Sequence, residues 1–178
     1  MKGVIFNLVE DIVTEANGPD AWDDLLEAAG LEGAYTALGS YGDDQLFALV
    51  DAAASASGLP PDDVMRHIGR KSLRLMAQRF PEFFTLHTSV RTFLLTLNGV
   101  IHPEVRKLYP GAQTPHFDFS EEPGGAILMD YHSARTMCPM AEGLTLGAGD
   151  HFGETLAITQ TQCKKHGADY CTLRIAVE

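Results

Sequence analysis

The chain has 178 residues, of which 45% are hydrophobic and 21% charged, enough for one domain with a sizeable core. Its 13 basic and 24 acidic residues leave a net charge of −11, and Lys and Arg are not gathered into a stripe, which argues against nucleic acid and anionic membrane surfaces as partners. No apolar run reaches the roughly 18 residues a spanning helix needs, and the opening M-K-G-V-I-F-N-L-V-E meets acids at Glu10 and Asp11 where a secretory leader would stay apolar, so the chain reads as cytoplasmic.

From Lys2 to Ala16, the residues Ile5, Leu8, Val9, Ile12 and Val13 recur at helical spacing. Asn17-Gly18-Pro19 ends this helix and opens a second, which carries Trp22, Leu25 and Leu26 and stops at Gly30. A loop from Leu31 to Gly42 leads to Asp43, the expected N-cap of a third helix running to Ser57-Gly58. Pro60-Pro61 opens a fourth, Asp62 to Arg79, which Pro81 breaks. A fifth is expected over Ser89 to Ile101; Pro103 either ends it or opens a short helix through Val105 and Leu108.

After Pro110-Gly111 the period changes to two. Phe117-Asp118-Phe119 and Ala126 to Arg135 read as strands, Met137 to His151 as a helix ending at Gly153, and Leu156 to Thr161 with Cys171 to Val177 as a hairpin. Gly147-Ala148-Gly149 weakens the late helix for no reason visible in the sequence. Helices first and strands afterwards give an α+β fold over a single domain, 1–178: an N-terminal helical part, then a small antiparallel sheet with one packed helix.

Three groups of residues could carry chemistry. Side chains alternate along a strand, so Tyr131, Ser133 and Arg135 are expected on one face of the strand, with His132 on the other. Two hydroxyls and a guanidinium form a receptor for a doubly anionic group; the plainer reading is a polar strand face whose Arg pairs with a surface acid. His102 follows an apolar helix face, with Gly99 one turn earlier expected to leave room beside the imidazole for something flat. Neutral imidazole suits iron or zinc, although a histidine at a helix end also suits the helix dipole. Taken together, an axial nitrogen and a receptor for two carboxylates match the iron and the two propionates of a porphyrin.

The third group is Cys138, Cys163 and Cys171, an odd number of thiols in a reducing compartment. Cys163 and Cys171 flank the hairpin loop and can face each other, and Cys138 begins the helix packed nearby. Three thiolates with a fourth ligand suit tetrahedral zinc; the alternative is oxidisable or merely buried thiols. His166 in the loop is the candidate fourth ligand. His67, His87, His116, His132 and His151 read as surface or structural, with His116 next to Pro115 near the presumed site.

At this point the sequence resembles the heme nitric oxide/oxygen binding (H-NOX) domains of the stand-alone bacterial type, related to the heme domain of soluble guanylate cyclase. The similarity runs nearly the whole chain: M-K-G-V-I-F-N-L-V-E, D-A-W-D-D-L-L-E-A-A-G-L, G-A-Y-T-A-L-G-S-Y, I-H-P-E-V-R-K-L-Y-P-G-A, and Y-x-S-x-R at Tyr131, Ser133 and Arg135. The resemblance implies heme b (ferrous protoporphyrin IX) held between the helical part and the sheet, with His102 as axial ligand and Tyr131, Ser133 and Arg135 on the propionates. It implies a pocket of Ile5, Val9, Leu97, Pro115, Met140 and Leu144, and a division into a distal part, 1–60, and a proximal part, 61–178. Oxygen-binding members carry a distal Tyr where this chain has Met140, and a thioether cannot donate a hydrogen bond. The expected function is therefore a non-catalytic sensor that binds nitric oxide and carbon monoxide but not dioxygen, and signals through a histidine kinase or a cyclic-di-GMP enzyme. Where some members have a histidine three residues before the middle cysteine, this chain has Gln160. The rival readings are a heme enzyme scavenging nitric oxide and a zinc/thiol redox module without heme.

Overall fold

The computed structural model describes residues 1–178. Four helices come first: α1 (Gly3–Asn17), α2 (Ala21–Ala29), α3 (Asp43–Ser57) and α4 (Pro61–Arg79). The helical spacing of Phe6, Val9 and Ile12 turns one stripe of α1 inward, where it meets Trp22 and Leu26 of α2, Leu46, Leu49 and Val50 of α3, and Met65 and Ile68 of α4. Met137, far along the chain, completes this first core. The cap expected at Asp43 sits one residue earlier, at Gly42. Asp43 is the first residue of α3, and its carboxylate is engaged elsewhere.

Beyond a 3₁₀ turn (Pro81–Phe83) the expected fifth helix is not continuous. It divides into α5 (Val90–Leu94), a π-helical turn (Leu97–Ile101) and α6 (His102–Leu108). Ser89 caps α5 by accepting from the Thr92 N–H. Pro103 falls in the first turn of α6, where its missing N–H is no loss. Its ring would press on the carbonyl four residues back in a regular helix, and the helix ahead of it is widened. The N–H groups of Val100 and Ile101 share the Thr96 carbonyl, and that of His102 bonds to Leu97. Proline therefore opens α6, and Gly99 faces outward with nothing within 4 Å of its missing side chain; the space expected beside the imidazole is not made by this glycine.

The remainder comprises β1 (His116–Glu121), β2 (Ile127–His132), α7 (Cys138–Phe152), β3 (Leu156–Gln162) and β4 (Cys171–Val177). The strands form one antiparallel sheet in the order β1-β2-β4-β3. Phe117, Met129, Tyr131, Leu173 and Ile175 face a second core with Leu94 and Ile101. The fold is α+β. Strand β2 stops at His132 rather than Arg135, and the chain turns through Ser133–Met137 into α7.

Helix α7 packs along α4 with the backbones nearly touching. A Cβ on Gly69 would lie 2.6 Å from the Met140 carbonyl oxygen, one on Gly143 2.0 Å from that of Arg66, and one on Gly147 2.6 Å from that of Arg70. Gly149 makes room instead for the returning chain at Glu154 and Leu156. These close approaches explain the helix-weakening glycines of α7.

Candidate functional site

Between the helical part and the sheet lies a cavity of about 560 Å³ with mostly apolar walls, within the range of about 300–1,000 Å³ typical of cofactor sites. Helix α1 contributes Ile5 and Leu8, α4 Leu73 and Met76, the α5–α6 segment Leu97, Ile101 and His102, the strands Phe117, Met129 and Tyr131, and α7 Met140, Ala141 and Leu144. Pro115 closes it next to β1. Val9 is not on this wall. It is buried in the first core, against which Ile5 also packs while reaching the cavity.

His102 opens α6 directly after the π turn, half-buried against the Phe117 ring at 5.8 Å between centroids. Its Nδ1 is enclosed and has no hydrogen-bond partner. Burial lowers the pKa to about 4, with the charge of Arg106 adding to the fall, the Pro115 backbone opposing it and His116 adding a little. The imidazole is thus neutral at physiological pH, with a free lone pair for a metal.

Tyr131, Ser133 and Arg135 all border the cavity. Strand alternation orients only Tyr131; the turn after β2 brings the other two round, and within it Ser133 Oγ accepts from the Arg135 N–H at 3.0 Å. Burial raises the Tyr131 pKa despite a hydrogen bond to Ser133, which keeps the phenol protonated and able to donate. Arg135 donates through Nε to Asp43 Oδ2 at 2.6 Å, and through Nη1 and Nη2 to the carbonyl and the side chain of Gln113. Asp43 also accepts from the Met1 amino group at 2.7 Å. Burial works to raise the Asp43 pKa, but the bonds and charges of Arg135 and Met1 outweigh it and hold the carboxyl below the usual range.

The family profile described as haem-NO-binding matches residues 2–160. The chain belongs to this family. It is 33% identical to an H-NOX protein from S. oneidensis in the Fe(II)NO ligation state, with a TM-score of 0.93, all of this chain and 99% of that one being covered. An H-NOX domain from Shewanella oneidensis in the Fe(II)CO state is likewise 33% identical, with a TM-score of 0.90 over 100% and 99% of the two chains. An unliganded Fe(II) H-NOX protein from K. algicida gives 26% identity and a TM-score of 0.87 over 100% and 97%.

The cavity of this haem-NO-binding domain has the features a heme requires: apolar walls, a neutral imidazole, and a protonated phenol, a hydroxyl and a guanidinium grouped together at its border. Two hydroxyls also border it. Thr145 donates its own to the Ala141 carbonyl at 2.9 Å, and Ser72 is buried one turn along α4 from Gly69. Asp43 and Gln113, the partners of Arg135, escaped the sequence reading. A half-buried arginine implies a carboxylate, but 24 acidic residues offer no means of choosing among them.

Away from the cavity, Cys138, Cys163 and Cys171 are buried with their sulfur atoms within 4.8 Å of one another. Cys138 Sγ lies 3.9 Å from Cys163 Sγ, close to the separation of about 3.8 Å that Zn–S bonds of about 2.3 Å give at a tetrahedral ion. Burial pushes the Cys138 thiol up to about 12, with Gln160 opposing and the other two thiols adding. No fourth His, Cys, Asp or Glu joins them. His166 is exposed on the 3₁₀ turn Lys164–His166, outside the group, because that turn lifts it off the sheet.

Proposed function

We propose that this domain holds ferrous protoporphyrin IX (heme b) in the cavity and senses nitric oxide with it, binding carbon monoxide as well and dioxygen not stably. A single observation carries the reading: a neutral imidazole and the Tyr131–Ser133–Arg135 group border the same apolar cavity. In this reading His102 would ligate the iron, Tyr131, Ser133 and Arg135 would hold the propionates, and Ile5, Leu97, Pro115, Met140 and Leu144 would pack on the macrocycle. When bound, the heme supplies a ferrous iron with a coordination position open to a diatomic gas.

The rest is the work of the chain. Met140 presents a thioether, and the Thr145 hydroxyl is committed to Ala141. At the Met140 position, therefore, a gas that depends on a hydrogen-bond donor, as dioxygen does, is disfavoured relative to nitric oxide and carbon monoxide. The similar structures in Fe(II)NO and Fe(II)CO states support these two as ligands. His102 sits where the π turn meets α6, so a change in the pull on its imidazole passes straight into both. Residues 1–60 act as the distal part and 61–178 as the proximal one, and Asp43 and Arg135 join them across the cavity.

The cavity contains no histidine besides His102 to serve as acid or base, which favours a sensor over a heme enzyme. Output then passes to a separate cytoplasmic protein, a histidine kinase or a cyclic-di-GMP enzyme. The sulfur spacing supports a structural zinc on Cys138, Cys163 and Cys171, with thiol oxidation as its rival. Metal analysis distinguishes them by one zinc per chain or none. The decisive experiment is an absorption spectrum of the ferrous protein with and without nitric oxide. Substituting His102 or Arg135 by Ala should reduce heme content or shift the spectrum; unchanged heme content and spectrum in both variants would defeat the assignment.

A further inference from the structure

Strand β1 lies at an edge of the sheet, where backbone groups have no further strand to pair with. At Phe117 a side chain takes that place. The Phe117 N–H donates to Asn98 Oδ1 at 3.1 Å, and Asn98 Nδ2 donates to the Phe117 carbonyl. An asparagine amide carries a donor and an acceptor in one plane, so Asn98 pairs with the edge as a peptide group would. Both polar groups of Phe117 thus point away from Tyr131, its partner on β2.

Asn98 is the second residue of the π turn Leu97–Ile101, and His102 follows that turn directly. The same Phe117 meets both residues: Asn98 holds its backbone, and the His102 ring lies 5.8 Å from its ring between centroids. Within the turn, the N–H groups of Val100 and Ile101 share one carbonyl, so the regular ladder of a helix is missing where His102 is carried. No backbone–backbone hydrogen bond joins the turn to β1. The other polar links from this part of the chain are exposed and reach elsewhere: Arg91 pairs with Glu121 at the far end of β1, and Arg106 donates to Thr114 ahead of the strand.

We infer that Asn98 is a positioning residue: by tying the π turn to the backbone of Phe117, it fixes where the His102 imidazole stands in the cavity wall. The inference rests on the reading of His102 as an iron ligand. Asn98 itself does not line the cavity. Without its two hydrogen bonds the turn is free to shift along β1 and carries the imidazole with it. The strength of the bond from His102 to iron therefore depends on a side chain outside the cavity.

The test is the iron–histidine stretching band in the resonance Raman spectrum of the ferrous, unliganded holoprotein, compared among the parent, Asn98→Ala, Asn98→Asp, Arg91→Ala and His102→Ala. Asn98→Ala removes both bonds. Asn98→Asp keeps an acceptor for the Phe117 N–H but sets an oxygen against the Phe117 carbonyl, and it serves if Asn98→Ala does not fold. Either variant should retain heme and show the band broadened and shifted to lower frequency. Arg91→Ala, which also loosens α5 from β1 but at Glu121, should show the parental band. A parental band in a folded Asn98 variant, or an equal shift in Arg91→Ala, overturns the proposal, and failure of both Asn98 variants to fold by circular dichroism reduces Asn98 to a structural residue and overturns it too. A band absent from the parent, or persisting in His102→Ala, defeats the heme reading and this inference together; a band lost in His102→Ala but parental in the Asn98 variants defeats this inference alone.

Discussion

Placing a methyl group on Gly143 tests the account of how α7 meets α4. In Gly143→Ala the new Cβ falls 2.0 Å from the Arg66 carbonyl oxygen, 2.9 Å from its carbon and 3.0 Å from the Arg70 nitrogen. All three are helix backbone, which cannot rotate away as a side chain would, so the helices must part by at least about an ångström to restore contact distance. Overpacking of this kind costs about 1–3 kcal/mol, and rigid neighbours put the cost near the upper end. Alanine returns about 1 kcal/mol of helix propensity, for a net loss of about 2 kcal/mol. In a chain of this size that lowers Tm by about 4–8 °C. The control is Gly99→Ala, where no atom lies within 4 Å and only the propensity gain of up to about 1 kcal/mol remains. Thermal and urea unfolding monitored by circular dichroism measure both. A Gly143→Ala protein as stable as the parent would refute the backbone-contact explanation of the α7 glycines.

Three further outcomes are expected. Met140→Tyr adds a phenol to the cavity wall and should produce a ferrous dioxygen spectrum that persists in air; a hydrogen bond worth about 1.5–3 kcal/mol raises dioxygen affinity by roughly one to two orders of magnitude, and a spectrum unchanged in air counts against the assigned position of Met140. Asp43→Asn removes the carboxylate from a mostly enclosed guanidinium and should destabilise the heme-free protein by about 1–3 kcal/mol, less once heme is loaded because propionates replace the lost charge, so chemical denaturation of both forms checks the difference. The Asp150 carboxyl is held below its usual pKa, first by the Arg70 hydrogen bond, against the opposing effect of burial and with the charges of Arg70 and Lys71 adding to the fall. A lowered carboxylate pKa stabilises the fold above the unfolded value and ceases to do so as pH falls through the folded value. Asp150→Asn should therefore be slightly less stable than the parent at neutral pH, by under about 1 kcal/mol for so exposed a pair, and the gap should close as pH falls below about 4.

Much of the architecture was legible because it depends on period and punctuation. Apolar stripes fixed α1 to α4, Pro60-Pro61 and Gly153 marked helix ends, and the change to a two-residue period located the sheet. Where the structure departs from the sequence reading or decides between its alternatives, the causes are local. Ser133 and Arg135 continue a strand pattern, yet the chain needs a turn to reach α7, and no glycine or proline between them marks it. Pro103 could end a helix or begin one, and only the geometry of the widened turn before it decides between the two. Val9 and Ile5 share a helical stripe, but the stripe is wide enough to face a core on one edge and the cavity on the other. The meeting of the three thiols was legible, because Cys163 and Cys171 flank one hairpin loop and Cys138 begins the helix beside it; that His166 stays outside was not, because the loop forms a 3₁₀ turn that leaves it exposed.

Arg135 serves two masters at once. Its guanidinium both holds α3 through Asp43 and borders the cavity where an acid group would sit. Thermodynamic linkage makes those two roles a single coupling free energy. Whatever an anionic occupant gains or loses because Asp43 is present, the grip of α3 on the rest of the molecule changes by the same amount when the occupant arrives. The closeness of the two halves and the affinity for the occupant are therefore one quantity, which can be measured from either end.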